Sequence, residues 1–393
     1  MAGNGVARDE TELAEQVKAA CGSKTPLEIV GGGTKLDFGG PVQAENRLSV
    51  KGLSGISLYE PAALTIVAKA GTPLKEINEV LSAEGQILPF EPANYAALLK
   101  SKGEPTIGGT IACGISGPRR IQAGAARDSL IGVRFVSGEG EKLKNGGRVM
   151  KNVTGYDLVK LMCGSHGTLG VLTELSFKVL PKPEKTAVLL LNGLSDEVAI
   201  AALSAALTSP YDVTGAAHTP QGLDGEPVTV IRIQGFKASV KYRSEKLRET
   251  LAEFGDAEIE TSARTEKGWK WVRDVEGLAS EEGAIWRISC KPTDGPKIVA
   301  DLRSSQDMKL LYDWGGGLVW LSVPEAGNCG ASEIRKSVAK FGGHATLVRA
   351  PADMRNKIPV FQPQSPILEE ISRGLRQQFD PAGILNPGRM GSN

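Results

Sequence analysis

Three glycine-rich loops carry the clearest chemical signal in this chain of 393 residues. In chain order they are Gly31–Lys35, Thr106–Ala112 and Gly164–Val171. Glycine has no Cβ and tolerates positive φ, so backbone N–H groups in such loops can approach an anionic ligand closely. Three of them in a fixed order, spread along the first half of the chain, predict an extended dinucleotide that lies across one domain and is held by main chain.

The glycine loops differ from the common nucleotide-binding fingerprints. No GxGxxG opens a helix and GxxxxGK[ST] does not occur, so the sequence favours neither a Rossmann fold nor a P-loop. Glycine accounts for 48 of the 393 residues, and a single run of three glycines could therefore be an ordinary turn. The order of all three loops is the stronger observation.

Composition excludes several classes of function. Basic and acidic residues balance at 46 and 45 without a basic stripe, so a nucleic acid is not an expected partner. The five cysteines stand singly and the histidines number three, which excludes iron–sulfur and zinc sites of the usual spacing and leaves no expected metal site. No apolar run reaches the roughly 18 residues of a spanning helix, and no secretion signal opens the chain, so we expect a soluble, cytoplasmic protein.

The elements that must position the loops alternate between strands and helices in the first part of the chain. We predict a helix at 9–21, a helix at Pro73–Ala83, and a long ligand-wrapping loop at 100–128, which is rich in Gly, Ala and Arg. A boundary at Pro181–Pro183 ends this first domain, 1–183. Its predicted strands are Leu27–Val30, Ile56–Tyr59, Leu64–Ala70, Leu130–Val136 and Val171–Leu180.

The second part contains an internal repeat. The order strand, helix, strand, strand, helix, strand occurs twice within 184–350, with a helix near Lys267–Val275 between the copies. Two ferredoxin-like βαββαβ units can join edge to edge, which predicts one antiparallel sheet with helices on one face. The predicted elements of the first copy are Thr186–Leu191, Ser195–Leu207, Tyr211–Ala217, Val228–Gly235, Val240–Phe254 and Ala257–Thr261. Those of the second copy are Ala284–Cys290, Pro296–Ser304, Lys309–Asp313, Gly317–Val323, Ser332–Phe341 and His344–Val348.

The remaining residues, 351–393, form the tail. Apolar residues recur at helical spacing over Pro366–Phe379, which predicts an amphipathic helix. The following segment, Phe379–Arg389, is dense in turn-forming residues but has an apolar Ile-Leu pair at its centre. That combination favours an ordered closing segment over a disordered end.

Five segments of the chain, taken in order, resemble the FAD-binding (E) subunits of bacterial glycolate oxidase and, more broadly, the vanillyl-alcohol-oxidase type of flavoprotein. They are Gly31–Lys35, Thr106–Gly114, Gly155–Leu158, Gly164–Thr173 and Phe379–Arg389. The resemblance implies an α+β fold. A PCMH-type (p-cresol methylhydroxylase-type) FAD-binding domain at 1–183 would be followed by a cap domain of two βαββαβ units at 184–350, and the helix and tail at 351–393 would return to the flavin.

The resemblance also assigns the residues that contact FAD. The first loop would hold the pyrophosphate through backbone N–H groups, and the second would run along the pyrophosphate and the ribityl chain. The third would meet the adenosine half, and Asn386 would lie beside the isoalloxazine ring. The implied cofactor-binding residues are Gly31, Gly32, Gly33, Thr34, Lys35, Gly108, Gly109, Thr110, Gly124, Asp128, Gly167, Thr168, Leu169, Val171 and Asn386.

Two departures from related flavoproteins matter. Many relatives tether the flavin through a histidine in the first loop, where this chain has Thr34 and Lys35, so non-covalent FAD is expected. Relatives that oxidise 2-hydroxy acids alone often carry a histidine-rich metal and base motif in the second domain, where this chain has only His218 and His344. Independent catalysis by this chain is therefore left open.

A 2-hydroxy carboxylate needs a cation for its carboxylate and a base for its hydroxyl proton. We expect Arg287 to anchor the carboxylate and His344 to act as the base. The alternatives are a surface ion pair for Arg287 and a partner or phosphate contact for Arg119-Arg120. Arg349 is a further cationic candidate, and His166 is expected to order its own loop.

The function that the resemblance favours is an FAD-binding subunit of a glycolate oxidase (dehydrogenase) complex, which oxidises glycolate to glyoxylate. Its partners would be a related FAD-containing subunit and an iron–sulfur subunit that takes the electrons, and the complex could associate peripherally with a membrane. One alternative is a stand-alone FAD-dependent dehydrogenase or oxidase of a small 2-hydroxy acid. Another is a non-catalytic flavin-bearing subunit that relays electrons or serves as a scaffold.

Overall fold

The computed structural model describes residues 5–147, 155–222, 225–304 and 308–391. Helices and strands are mixed, and the described strands form an eight-stranded sheet, a five-stranded sheet and two smaller ones. The predicted α+β class is therefore confirmed. Within these ranges, no helix is both long and apolar enough to cross a lipid bilayer.

The first part of the chain builds the sheets that carry the glycine loops. Its strands are β1 (Gly5–Val6), β2 (Leu27–Val30), β3 (Asn46–Ser49), β4 (Ile56–Glu60), β5 (Thr65–Lys69), β6 (Gln86–Ile87), β7 (Leu130–Val136), β8 (Lys142–Gly146), β9 (Val171–Lys178) and β10 (Leu180–Pro181). Its α-helices are α1 (Glu10–Ser23), α2 (Leu74–Ala83), α3 (Ile107–Ala112), α4 (Arg120–Ala123), α5 (Ala126–Ser129) and α6 (Leu158–Met162). A small parallel sheet has the order β1-β3-β2, and an antiparallel sheet has the order β4-β5-β9-β7-β8.

Helix α1 begins where its sequence supplies a cap. The carboxylate of Asp9 accepts hydrogen bonds from the backbone N–H groups of Thr11 and Glu12, both at 2.9 Å. It thereby satisfies N–H groups that the helix itself leaves without a partner. Leu13 and Val17, one turn apart on the same face, are fully buried. The predicted helix is confirmed, and it ends two residues later than expected.

The segment 100–128, predicted as one long loop, contains the short helices α3, α4 and α5. That prediction was wrong because helices of one or two turns show little periodicity in the sequence. The side-chain oxygen of Thr106 caps α3 by accepting a hydrogen bond from the Gly109 N–H at 3.3 Å. Gly108 lies so close to β5 that a Cβ there would be 2.7 Å from the Cβ of Ala70. The glycines of this segment therefore allow a helix to pack closely on a strand.

The second part of the chain repeats the order βαββαβ, with α9 and α10 between the two copies. Its strands are β11 (Lys185–Asn192), β12 (Val213–Thr219), β13 (Val228–Gly235), β14 (Glu258–Glu260), β15 (Ala284–Ser289), β16 (Lys309–Asp313), β17 (Leu318–Val323) and β18 (His344–Arg349). Its α-helices are α7 (Asp196–Thr208), α8 (Lys237–Leu251), α9 (Arg264–Arg273), α10 (Glu276–Ala279), α11 (Gly295–Arg303) and α12 (Ala331–Phe341).

These strands form one sheet in the order β14-β11-β13-β12-β16-β17-β15-β18. Each half has the strand order of a ferredoxin-like unit, and the halves meet where β12 lies antiparallel to β16. At this seam His218 pairs with Tyr312, and their rings stack with centroids 5.9 Å apart. The domain limits at residues 183 and 350 stay predictions.

The two faces of the large sheet have different neighbours. On β15, Trp286 and Ile288 belong to the core that the sheet forms with its helices. Ile285 belongs to another core, which includes Tyr95 from the first part of the chain. Because successive side chains of a strand point to opposite faces, Arg287 shares the face of Ile285. The sheet therefore presents this second face, with Arg287 on it, to the first part of the chain and to α9 and α10.

The tail packs back on the first part of the chain. It contains α13 (Ala352–Lys357) and α14 (Pro366–Phe379), and α14 has the bounds that were predicted for it. After α14 the chain runs beside β2. The Leu27 N–H donates to the Ile384 carbonyl at 2.8 Å, and the Asn386 N–H donates to the Leu27 carbonyl at 3.0 Å. The end of the described chain is therefore an ordered segment that closes on the first glycine loop.

Candidate functional site

The three glycine loops and the tail meet in one cleft. It encloses about 720 Å³, including the part that opens to solvent. The walls come from segments that are far apart in the sequence, and β2, β5 and β9 bring them together.

Most of the predicted cofactor-binding residues line this cleft. They are Gly31, Gly32, Gly33, Thr34, Lys35, Gly108, Gly109, Gly167 and Asn386. The others do not line it, and four of them are buried, namely Thr110, Thr168, Leu169 and Val171. Gly124 and Asp128 also lie outside the cleft. The Asp128 carboxylate instead caps α5, where it accepts a hydrogen bond from the Ala125 N–H at 2.8 Å.

Several residues of the cleft were missed by the sequence predictions. They are Phe38, Thr106, Cys113, His166 and Arg389, among others. Each lies inside or within a few residues of a glycine-rich segment, and that proximity was the available signal. Which of the flanking side chains turn toward the cleft depends on how the loops pack, and this does not follow from spacing.

Gly32 shows why the first loop needs glycine. A Cβ at this position would overlap the carbonyl oxygen of Glu104, and a Cβ at Gly103 would overlap the carbonyl oxygen of Gly32. The loop after β2 and the chain before α3 are thus packed backbone against backbone. A side chain at either position would force the two segments apart, so this wall of the cleft depends on glycine.

Asn386 ties the tail to the first and third loops. Its side-chain oxygen accepts a hydrogen bond from the Ile29 N–H at 2.8 Å, and its amide nitrogen donates to the His166 carbonyl at 2.8 Å. Its φ of 47° is in the left-handed region, which asparagine tolerates better than most residues. The residue is buried in the wall of the cleft. Contact between Asn386 and the flavin ring stays a prediction.

Two cationic side chains line the cleft. Burial lowers the pKa of Lys35, whose ammonium donates to the hydroxyl of Thr34 at 3.3 Å. Arg389, from the tail, is buried, donates to the Leu36 carbonyl and pairs with Glu28 at 3.3 Å. Burial is also the main cause that lowers the pKa of Arg389. Positive charge beside a wall of backbone glycines suits a phosphate-bearing ligand.

His166 contributes a neutral imidazole to the third loop. Burial lowers its pKa to about 3, and the charge of Arg389 acts in the same direction. Its ring packs edge-on against Phe38 and Phe361, at 5.4 and 5.0 Å between centroids. Its Nδ1 is buried and has no hydrogen-bond partner among the residues that the structure describes. An orphaned polar atom in the wall of a cleft fits a ligand that supplies the missing partner.

The two predicted catalytic residues lie outside the cleft, on the face of the large sheet that is turned away from α7, α8, α11 and α12. Arg287 is on β15, and His344 begins β18, where it pairs with Ser289. Because Ser289 and Arg287 are two residues apart on one strand, Arg287 and His344 are diagonal neighbours on the same face. The pKa of His344 is lowered by partial burial and then by the positive charges of Arg287 and Arg120. The imidazole is therefore neutral, and able to accept a proton, near pH 7.

Arg287 shares an aromatic platform with Arg120. The Cζ atom of Arg287 lies 5.3 Å from the ring centroid of Trp314 and 6.0 Å from that of Trp320. The Cζ atom of Arg120 lies 4.5 Å from the same Trp314 centroid. These four residues and His344 are called the junction cluster below, because they lie where the sheet meets the first part of the chain.

Other arginines on or near this face are committed to partners inside the protein. The guanidinium of Arg349 donates to four backbone carbonyls, including those of Leu98 at 2.7 Å and Gly283 at 3.1 Å. Arg232 forms a two-pronged ion pair with Glu91, at 2.7 and 2.8 Å. Arg349, a candidate from the sequence, is thus used to hold the chain together and is not free to bind a substrate.

Phe38 and Cys113 connect the cleft with the junction cluster. Both line the cleft, and both pack in the core that contains Trp314 and Trp320. Burial raises the pKa of the Cys113 thiol, although the positive charges of Lys35 and Arg389 oppose that effect. The cleft and the junction cluster therefore share a wall.

Comparison with known proteins identifies relatives along the whole chain. Residues 6–145 match a family described as FAD binding domain. Over 381 residues the chain is 38% identical to glycolate oxidase subunit GlcE of Escherichia coli, with 96% of each chain covered. It is 26% identical over 439 residues to glycolate oxidase subunit GlcD of Bacillus subtilis, with 98% of this chain and 87% of that one covered.

The fold is also similar to that of a solved flavoprotein. A crystal structure of p-cresol methylhydroxylase with substrate bound superimposes with a TM-score of 0.72, over 99% of this chain and 88% of that chain. The two sequences are only 14% identical, so the similarity concerns the fold alone. It confirms the PCMH-type architecture that the family resemblance implied.

Proposed function

This chain belongs to the family of FAD-binding E subunits of bacterial glycolate oxidase, within the vanillyl-alcohol-oxidase type of flavoprotein, and we propose that it oxidises glycolate to glyoxylate as part of a complex. FAD is its cofactor. The observation that carries the proposal is the cleft in which three glycine loops, two cations and the tail converge. The junction cluster behind one wall of that cleft supplies the groups that a 2-hydroxy acid needs.

The cleft has the hydrogen-bond donors and positive charges that FAD needs. The backbone of Gly31–Gly33 and the charges of Lys35 and Arg389 would hold the pyrophosphate. Gly108 and Gly109 would follow the pyrophosphate and the ribityl chain, and the third loop would meet the adenosine half. The unpartnered Nδ1 of His166 offers a further polar contact to the bound cofactor.

The residues of the junction cluster would bind the substrate and take its proton. Arg287 would hold the carboxylate, because a guanidinium can donate two parallel hydrogen bonds to it. His344 would accept the hydroxyl proton, for which its nitrogen must come within about 3 Å of the hydroxyl oxygen. Bound FAD supplies the acceptor for the hydride that leaves the α-carbon, so glycolate loses two electrons and two hydrogens to become glyoxylate.

We infer that FAD is bound without a covalent link. Thr34 and Lys35 occupy the stretch of the first loop where many relatives have a tethering histidine. The side chains of both residues take part in hydrogen bonding within the loop. The cleft would therefore hold FAD through backbone contacts, charge and the closing tail.

Electrons would leave the flavin through partner subunits, namely a related FAD-containing subunit and an iron–sulfur subunit. The cysteines Cys21, Cys113, Cys163, Cys290 and Cys329 are all free thiols, and in the described chain no group of His, Cys, Asp and Glu side chains is placed to hold a metal ion. An iron–sulfur cluster that takes up the electrons would therefore be carried by a partner subunit. The membership in a family of glycolate oxidase subunits supports such an assembly.

Substitutions in the junction cluster test the proposed function in the assembled complex. Arg287→Lys keeps the charge but loses the planar, two-pronged donor, and a loss of about 2 kcal/mol corresponds to a fall in glycolate turnover of about thirty-fold. His344→Ala should lower turnover by about a hundred-fold or more. Both variants should keep their FAD content, and Arg248→Lys on the exposed side of α8 should keep full turnover.

Normal turnover in both variants would contradict this assignment. Glycolate would then react at a flavin in another subunit, and this chain would relay electrons or serve as a scaffold. Loss of FAD in either variant would show instead that the substitution damages the fold, and circular dichroism would distinguish that case from a specific loss of turnover.

A further inference from the structure

Arg120 completes an anion-binding site at the junction cluster. We propose that Arg120 and Arg287 together bind the carboxylate of a small 2-hydroxy acid, with the indole of Trp314 as the surface that orients both guanidinium groups. This inference rests on the proposed function, because it names the groups that recognise the substrate there. It assigns a binding role to Arg120 beyond the partner or phosphate contact expected from the sequence.

The two arginines come from different parts of the fold. Arg120 begins α4 in the first part of the chain, and Arg287 lies on β15 of the large sheet. Since both guanidinium groups lie over the ring of Trp314, their Cζ atoms are roughly 10 Å or less apart, which is about one Debye length at physiological salt. The pair therefore exists only when the sheet is packed on the first part of the chain.

Neither guanidinium forms an ion pair in the part of the chain that the structure describes, although Asp128 acts at longer range on Arg120 and Asp313 on Arg287. Among the residues that the structure describes, no carboxylate lies within ion-pair distance of Arg120 or Arg287. Arg232 and Arg355, by contrast, are paired with Glu91 and Asp37 at 2.7 and 2.6 Å. Two like charges that the fold holds close together repel each other, and a bound anion relieves that repulsion.

The charges of the cluster act on one another. Burial lowers the pKa of Arg120, and the charge of Arg287 is the next cause in the same direction. The pKa of His344 is lowered by burial and also by the positive charges of Arg287 and Arg120. Asp313, which is buried, has a pKa raised to about 7, chiefly by burial, so its carboxyl group carries only part of a negative charge at neutral pH.

The chemistry of the pair favours a carboxylate. An arginine that stacks on an indole uses the face of its guanidinium and leaves the N–H edge free for hydrogen bonds. Two such edges suit the two oxygens of a carboxylate. The exposed imidazole of His344 lies on the same face as Arg287, where the hydroxyl group beside that carboxylate would need a base.

The test is equilibrium binding of glycolate to the isolated, FAD-loaded chain, whose FAD has first been reduced so that glycolate binds without reacting, under anaerobic conditions, measured by calorimetry and by tryptophan fluorescence. The neutral 2-hydroxyacetamide serves as the matched ligand, and inorganic phosphate as the competing anion. Arg120→Gln removes the charge while keeping a polar side chain of moderate length, and should weaken glycolate binding about ten- to a hundred-fold. Arg127→Lys, an exposed arginine close to Arg120 in the sequence, should bind glycolate as the wild type does.

Several outcomes would overturn the inference. They are the absence of glycolate binding at millimolar concentration, equal affinity for 2-hydroxyacetamide, affinity for phosphate as high as for glycolate, and unchanged affinity in a folded Arg120→Gln variant. Arg120→Lys provides a second variant if Arg120→Gln fails to fold or loses FAD, and it should also weaken glycolate binding.

Failure of this inference and failure of the proposed function give different results. If Arg287→Lys lowers turnover in the complex about thirty-fold while Arg120→Gln changes neither binding nor turnover, the proposed function stands and the role of Arg120 is wrong. If Arg120→Gln weakens glycolate binding while both Arg287→Lys and His344→Ala complexes turn over normally, the anion site exists and the proposed function is wrong.

Discussion

Removal of the Asn386 side chain tests whether this residue holds the cleft together. In Asn386→Ala, the N–H of Ile29 and the carbonyl of His166 lose their partners. A buried polar group without a partner costs about 1–3 kcal/mol, so the free energy of unfolding should fall by about 2–4 kcal/mol. Alanine at a left-handed φ adds about 1 kcal/mol to that loss.

Comparison with glycine separates the hydrogen bonds from the backbone conformation. Asn386→Gly loses the same two hydrogen bonds but tolerates the φ of 47°, so it should be less destabilised than Asn386→Ala by about 1 kcal/mol. Urea unfolding of the FAD-loaded protein, monitored through the release of flavin, measures the free energy of unfolding of both variants. Asn192→Ala, at the exposed end of β11, is the control and should stay within about 0.5 kcal/mol of the wild type.

The same variants should bind FAD less tightly, because Asn386 fixes the third loop through His166. We expect the dissociation constant for FAD to rise about tenfold or more, which corresponds to about 1.4 kcal/mol. Wild-type stability together with wild-type FAD affinity in both variants would refute the reasoning. Equal destabilisation by alanine and glycine would refute the part that concerns the backbone conformation.

Three further predictions concern the cleft and the buried charge. Gly32→Ala should abolish FAD binding, because its Cβ would overlap the Glu104 carbonyl, whereas Gly109→Ala, whose Cβ would meet only the Thr106 hydroxyl at 3.3 Å, should keep the apoprotein folded by circular dichroism. Acid precipitation of the holoprotein should release the yellow flavin into the supernatant, and flavin that stays in the pellet would contradict non-covalent binding. Burial raises the pKa of Asp313 to about 7, so the folded state binds the extra proton and stability should fall as pH rises from about 4 to 7. Asp313→Asn removes the cost of ionising this buried carboxyl group. The melting temperature of the variant minus that of the wild type should therefore be larger at pH 8 than at pH 5.

The repeat in the second part of the chain could be predicted because its signals are local. The strand Val228–Gly235 and the strand Lys309–Asp313 have the predicted bounds, and the helix bounds differ by a few residues. Alternating side chains, helical periodicity and glycine or proline between elements do not depend on distant contacts. The amphipathic helix Pro366–Phe379 was found for the same reason.

The walls of the cleft could be predicted only in part, because they depend on packing between distant segments. The glycine loops were visible in the sequence, but the place of Arg389 in the cleft depends on the tail folding back along β2. Within 100–128, helix α3 depends on the cap at Thr106 and on the close approach of Gly108 to Ala70, just after β5. Arg120 and Arg287 come from different parts of the chain and meet over Trp314. The spacing of these residues in the sequence does not predict that contact.

Anaerobic addition of glycolate tests most directly whether this chain works as a subunit of a larger complex. The chain is purified through a tag, once alone and once with the proteins that accompany it in its own cells, and the flavin absorbance is followed after mixing. We expect glycolate to bleach the flavin of the isolated chain with an uptake of two electrons per FAD, whereas an assembly with a related flavoprotein and an iron–sulfur protein should take up more than two electrons per chain. An isolated chain that keeps its oxidised flavin spectrum while the assembly is bleached, or an assembly purified without such proteins, would contradict the account.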